Sequence, residues 1–117
     1  MSVSLDNCYF DPSYLFSVVG GDQETLKAII NAFINSGSIL VLELQKAIQK
    51  KEYETIKRQV HSMKGMACAI GVSRIVALAV SMEKCAMDEV GLLEIERLFA
   101  QMQFEFNQAR HQLSLFL

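Results

Sequence analysis

A chain of 117 residues suits one domain built around one core, here taken as residues 1–117. Half of it is hydrophobic (51%), which excludes an intrinsically disordered protein, and a formal net charge of -2 supplies no global attraction to nucleic acid or to a membrane surface. One proline against six glycines and six methionines favours long helices over many short strands.

Cys8, Cys68 and Cys85 are odd in number and lack C-x-x-C spacing, which argues against a disulfide framework and a zinc site. The first residues lack the basic stretch and apolar core of a signal peptide, and no apolar run reads as long enough to span a bilayer. The expectation is a cytoplasmic, reducing context with no membrane insertion.

Along the chain, Asp11-Pro12 is a helix-start signal, with Asp as cap and Pro in the first turn, and a short helix is expected through Ser13–Phe16. Gly20-Gly21 breaks it and Asp22 caps a second helix, whose inward face carries Leu26, Ile30, Phe33, Leu40, Leu44 and Ala47. Gly37 weakens the middle of that helix and permits either a bend or a close approach. Lys50-Lys51 suits the negative end of its dipole. A third helix is predicted from about Glu52 to Ile70, ended by a left-handed Gly71, with Ser73 as the next N-cap. The fourth carries Ile75, Leu78, Ala79, Met82 and Ala86. After a break near Asp88–Gly91, the last carries Leu92, Ile95, Phe99, Met102, Phe106, Ala109 and Leu113 at alternating spacings of three and four. Short connections make successive helices antiparallel, in an all-α chain. Met63, Met66, Met82, Met87 and Met102 read as core filling rather than a binding groove.

The third helix holds the residues with chemistry. Its apolar stripe is Ile56, Val60, Met63, Ala67 and Ile70, and His61 stands outside it. Lys57, Arg58, Lys64 and Gly65 lie one turn away, and Cys68 follows on the same side. An exposed imidazole ringed by cations suits phosphoryl chemistry. Such cations oppose protonation of the ring, which leaves a lone pair free, and they favour the negative charge once a phosphoryl is attached. Gly65 inside a helix costs roughly 1 kcal/mol relative to Ala, which makes sense where something must approach His61 closely. The plainer readings are a solvated lysine face, and a glycine kept for helix packing. His111 sits beside the seam of the last helix and reads as structural or surface. Neither histidine has Glu three residues before it, so a di-metal bundle is excluded. No Gly-rich phosphate loop or Ser/His/Asp arrangement is present, so the chain shows no means of binding ATP.

The stretch Val60-His61-Ser62-Met63-Lys64-Gly65-Met66-Ala67-Cys68-Ala69-Ile70-Gly71 resembles the histidine-containing phosphotransfer (HPt) domains of two-component phosphorelays. So do Gly20-Gly21-Asp22 with Phe33 beyond it, and Leu78 through Met82-Glu83. The resemblance runs from about Asp11 to the last helix. It implies an antiparallel four-helix bundle, here with a short additional N-terminal helix, and reversible transfer between His61 and the aspartate of receiver domains. By the same match Lys64 is the cation beside the phosphate and Gly65 admits the receiver, with Lys57, Arg58 and Cys68 on the partner-facing side. Val60 stands where the family often has Ala, and Met66 where it often has Ser or Ala. The expected partners are the receivers of a hybrid sensor kinase and of a response regulator. The chain itself is expected to be a monomer and a phosphoryl carrier without cofactor, any magnesium being held by the receiver. A non-catalytic helical adaptor and a helical oligomerisation module are the competing functions.

Overall fold

The computed structural model describes residues 12–88 and 91–117. Five helices follow in order: α1 (Pro12–Val19), α2 (Gln23–Gln49), α3 (Tyr53–Ile70), α4 (Ser73–Met87) and α5 (Leu92–Ser114). No strand occurs among the described residues.

Local chemistry sets the helix ends. Pro12 opens α1, where its missing N–H costs nothing. Asp11, expected as its cap, lies outside the described residues, as does Cys8. Asp22 caps α2: its carboxylate accepts from the Glu24 N–H at 3.1 Å and from the Thr25 hydroxyl at 2.7 Å. The Thr25 hydroxyl, foremost, holds this carboxyl below its ordinary range. At the other end of α2 the Glu52 N–H reaches the Ala47 carbonyl at 3.0 Å, which turns Lys51 into the left-handed region (φ 57°).

Gly71 adopts the expected left-handed conformation (φ 86°), and the Gly71 and Val72 N–H groups both bond the Ala67 carbonyl at 2.9 Å. Ser73 is not the cap of α4. Val72 occupies that position with no side-chain cap, fully buried, and Ser73 is the first helical residue. The link is too short for a polar cap, and its second residue is drawn into the core instead. The expected break over 88–91 is seen at its ends, Asp88 closing α4 and Gly91 (φ 73°) opening α5; residues 89–90 lie outside the described set.

α3 packs against α2 and α4, and α5 against α4 and α2, which closes a four-helix bundle. Links of two to four residues between long neighbouring helices require them to run antiparallel. α1 packs on α2, sinks Leu15 completely, and sets Phe16 edge-on to Phe116 with ring centroids 5.7 Å apart. The predicted stripes form one core: Ile56, Val60, Met63, Ala67 and Ile70 from α3, Ile75, Ala79, Met82 and Ala86 from α4, and Ile95, Phe99, Met102, Phe106, Ala109 and Leu113 from α5. Leu40, Leu78 and Leu92 sit at its margin, half-buried. Among the methionines, Met63, Met82 and Met102 fill the core, Met66 is half-buried and Met87 is exposed, since it stands at the last turn of α4.

Gly37 is a close-approach glycine. It is buried, and a Cβ built there would overlap the Phe106 ring of α5. α2 also corrects the membrane argument: its length and apolar content would suffice to cross a bilayer, but Leu26, Ile30, Phe33, Leu44, Ala47 and Ile48 are buried in the bundle.

Candidate functional site

α3 presents opposite faces to core and solvent. Val60 and Met63, fully buried, anchor it on either side of His61, whose side chain is 70% exposed near the middle of the helix. The imidazole is thus carried on a rigid rod at the bundle surface, over a depression of about 380 Å³ lined by Glu54, Lys57, Arg58, His61, Ser62 and Glu83.

The cations are less free than the sequence suggests. Lys57 lies in the depression, but its ammonium is held by Glu54 at 3.1 Å, one turn back. Arg58 bends the same way, to the Thr55 hydroxyl at 3.5 Å. Lys64 is half-buried, with Nζ 3.2 Å from Oε2 of Glu83. The same oxygen is 3.7 Å from Nδ1 of His61, beyond a direct hydrogen bond but close enough for electrostatic attraction to a protonated ring. The expected ring of positive charge around His61 therefore contains a carboxylate, and the apparent cation face is already partly neutralised.

Glu83 joins the site from α4, so spacing along α3 does not reveal it. Its position follows from the α3–α4 hairpin: His61 lies ten residues before Gly71 and Glu83 eleven after Val72, so an antiparallel pair sets them side by side. Glu83 also follows core residue Met82, at the edge of the α4 stripe that borders α3. Its Oε2 is shielded from solvent and accepts no hydrogen bond. Lys64, 29% exposed, supplies its charge partner.

Gly65 differs from Gly37 in kind. A Cβ built at Gly65 meets nothing within 4 Å. Helix packing does not explain this glycine, and the surface beside His61 is open at that point. Cys68 is exposed on α3 but is not drawn to His61. It lines a different, mostly apolar groove of about 480 Å³ with Tyr14, Gly71, Ser73, Val76 and Ala77. Met66 lines a third, of about 210 Å³, between α2 and α3 with Ile29, Phe33 and Ser36. His111 is exposed in the last turn of α5, in a shallow depression with Ile34, Arg110 and Ser114 away from these residues.

Comparison with curated proteins gives no match. Among solved structures, histidine-containing phosphotransfer protein B (HptB) from Pseudomonas aeruginosa PAO1 is similar, with a TM-score of 0.85 over 92% of this chain and 92% of that one. At 20% identity that likeness establishes a shared fold. A family model for the Hpt domain matches residues 28–114, which span most of α2, α3 with His61, α4 with Glu83 and the whole of α5, so the chain belongs to the Hpt domain family.

Proposed function

We propose that His61 is the phosphoacceptor of this Hpt domain, carrying a phosphoryl group reversibly to and from the aspartate of receiver domains. The observation that carries this reading is the exposed imidazole between two buried anchors, beside a glycine whose missing side chain leaves open space. A receiver active site must close over the ring nitrogen to reach in-line geometry, and a side chain at Gly65 would stand in its path.

In the forward step the lone pair of a ring nitrogen bonds to phosphorus. The bond from phosphorus to the aspartyl oxygen breaks, and its electron pair stays on the receiver carboxylate. Lys64, paired with Glu83 beside the ring, is the cation that swings to the new phosphoryl oxygens in this reading. Magnesium acts on the receiver's side, and ATP is used by a kinase upstream. The partners proposed are the receivers of a hybrid sensor kinase and of a response regulator, met by a monomer in the cytoplasm.

Incubation with phosphorylated receiver domains, following label on wild type and His61→Gln, tests the proposal. Label should appear on wild type alone, as a phosphoramidate lost in acid and kept in alkali. Label that survives acid, or persists in His61→Gln, defeats it. Stable receiver binding with no label on either protein would establish the adaptor function instead.

A further inference from the structure

We infer that Glu83 is a built-in competitor for Lys64, and that it keeps the phosphoryl on His61 easy to give away. The inference rests on His61 as phosphoacceptor and concerns how strongly the site holds its cargo.

In the resting site a single carboxylate oxygen, Oε2 of Glu83, faces both Lys64 Nζ at 3.2 Å and His61 Nδ1 at 3.7 Å. That oxygen is shielded from water and accepts no hydrogen bond, so its charge is balanced mainly by Lys64. The other charged groups around the ring are Glu54, Lys57 and Arg58 from α3. Glu54 holds Lys57, and Arg58 turns to Thr55. On the α2 side of α3, Glu43 accepts from Gln59 at 2.7 Å.

Phosphorylation converts a neutral ring into a group with net negative charge, whether or not the second ring nitrogen keeps its proton. Lys64 then has two anions to serve. If it turns to the phosphoryl, a shielded carboxylate loses its partner, which is costly. If it stays with Glu83, the phosphoryl loses its cation. Either way the phosphorylated state is raised relative to a site without the carboxylate, and the resting state, with Glu83 satisfied, is not. Glu83 thus acts through Lys64 as a positioning residue that biases exchange toward release.

The test is the equilibrium of phosphoryl exchange between one receiver and wild type, Glu83→Gln, Lys64→Gln and the double variant, each shown by its melting curve to be folded at the assay temperature. Glu83→Gln should raise the ratio of phosphorylated to free His61 on the order of fivefold, the size of a unit-charge repulsion at contact range under aqueous screening. Lys64→Gln should lower the ratio. In the Lys64→Gln background the effect of removing Glu83 should differ clearly from its effect in wild type. Glu83→Asp, which keeps the charge, should stay nearer wild type than Glu83→Gln. Should Glu83→Gln fail to fold, Glu83→Ser carries the same expectation. A folded, neutral variant whose ratio is unchanged or lower overturns the inference, and so does an effect of equal size with and without Lys64. Wild type that takes no label at His61 would instead defeat the phosphoacceptor reading itself.

Discussion

At the scale of single residues, His61, Met63 and Lys64 show how sharply one helix divides its duties. Met63 is fully buried, whereas Lys64 reaches the surface and pairs with Glu83. Met63→Asp would bury an unpaired charge and should unfold the domain. Lys64→Ala should leave the domain folded but lower its stability by roughly 1–3 kcal/mol, because the shielded Glu83 carboxylate loses its charge partner, while slowing transfer or shortening the life of phosphorylated His61. Urea melts of the two variants check the assignment, which fails if Met63→Asp melts like wild type and Lys64→Ala collapses. This much of the site was legible in the sequence, because neighbours one turn apart are set by helix geometry alone. Glu83 was not, because its place beside His61 is a tertiary fact that emerges only when the α3–α4 hairpin is folded in register.

At the scale of helices, two glycines inside long helices make opposite contributions. Gly65→Ala should stabilise α3 by up to about 1 kcal/mol, since the site is helical and open. Gly65→Gln should stay folded yet lose transfer from a receiver far more than reaction with phosphoramidate, a donor that needs no protein-sized docking surface. Equal losses with both donors would remove docking as the explanation. Gly37→Ala should lower stability by about 1–3 kcal/mol, because its methyl meets the Phe106 ring, itself held by Phe33 with centroids 5.4 Å apart. Both glycines read in the sequence as helix-weakening, and neither pattern said which one faced a neighbour.

The helix ends carry two more expectations. Lys51 holds a left-handed backbone at the close of α2, so Lys51→Gly should stabilise by up to about 1 kcal/mol in urea unfolding. Asp22 titrates below its ordinary range when folded. Its contribution to stability is therefore complete above the unfolded-state value and fades as pH falls through the lowered folded-state value. Asp22→Asn keeps an acceptor oxygen without the titration. Its melting temperature should fall less steeply than wild type on acidification, and parallel curves would show that the cap charge is not linked to folding.

At the scale of the whole molecule, the bundle was legible because its stripes are long and regular: every predicted core position of α3 and of the α5 seam beyond Leu92 is buried. The parts less legible are those where two segments meet. Val72 takes the cap position from Ser73 because the α3–α4 link is short, and α1 is held by Leu15 and the Phe16–Phe116 contact across the two ends of the chain. Leu15→Ala should cost about 2–5 kcal/mol, as for other fully buried leucines, and Phe16→Ala much less. A similar cost for both would show that α1 is not seated through Leu15. Sedimentation should give the monomer mass of 13.1 kDa, against the oligomerisation module.

Among the described residues, the core contains no buried polar or charged residue. Oily surfaces tolerate sliding, and a buried hydrogen-bonding pair is one common device that penalises helices paired a turn out of place. In this bundle that duty passes to shape, and the Phe106 ring seated on Gly37 is its clearest expression. Filling the notch should therefore cost uniqueness before it costs helix: Gly37→Leu should keep its far-ultraviolet dichroism while its amide resonances broaden and crowd together. A protein whose task is to offer one imidazole at one angle has, in that notch, the peg that stops its rods from slipping.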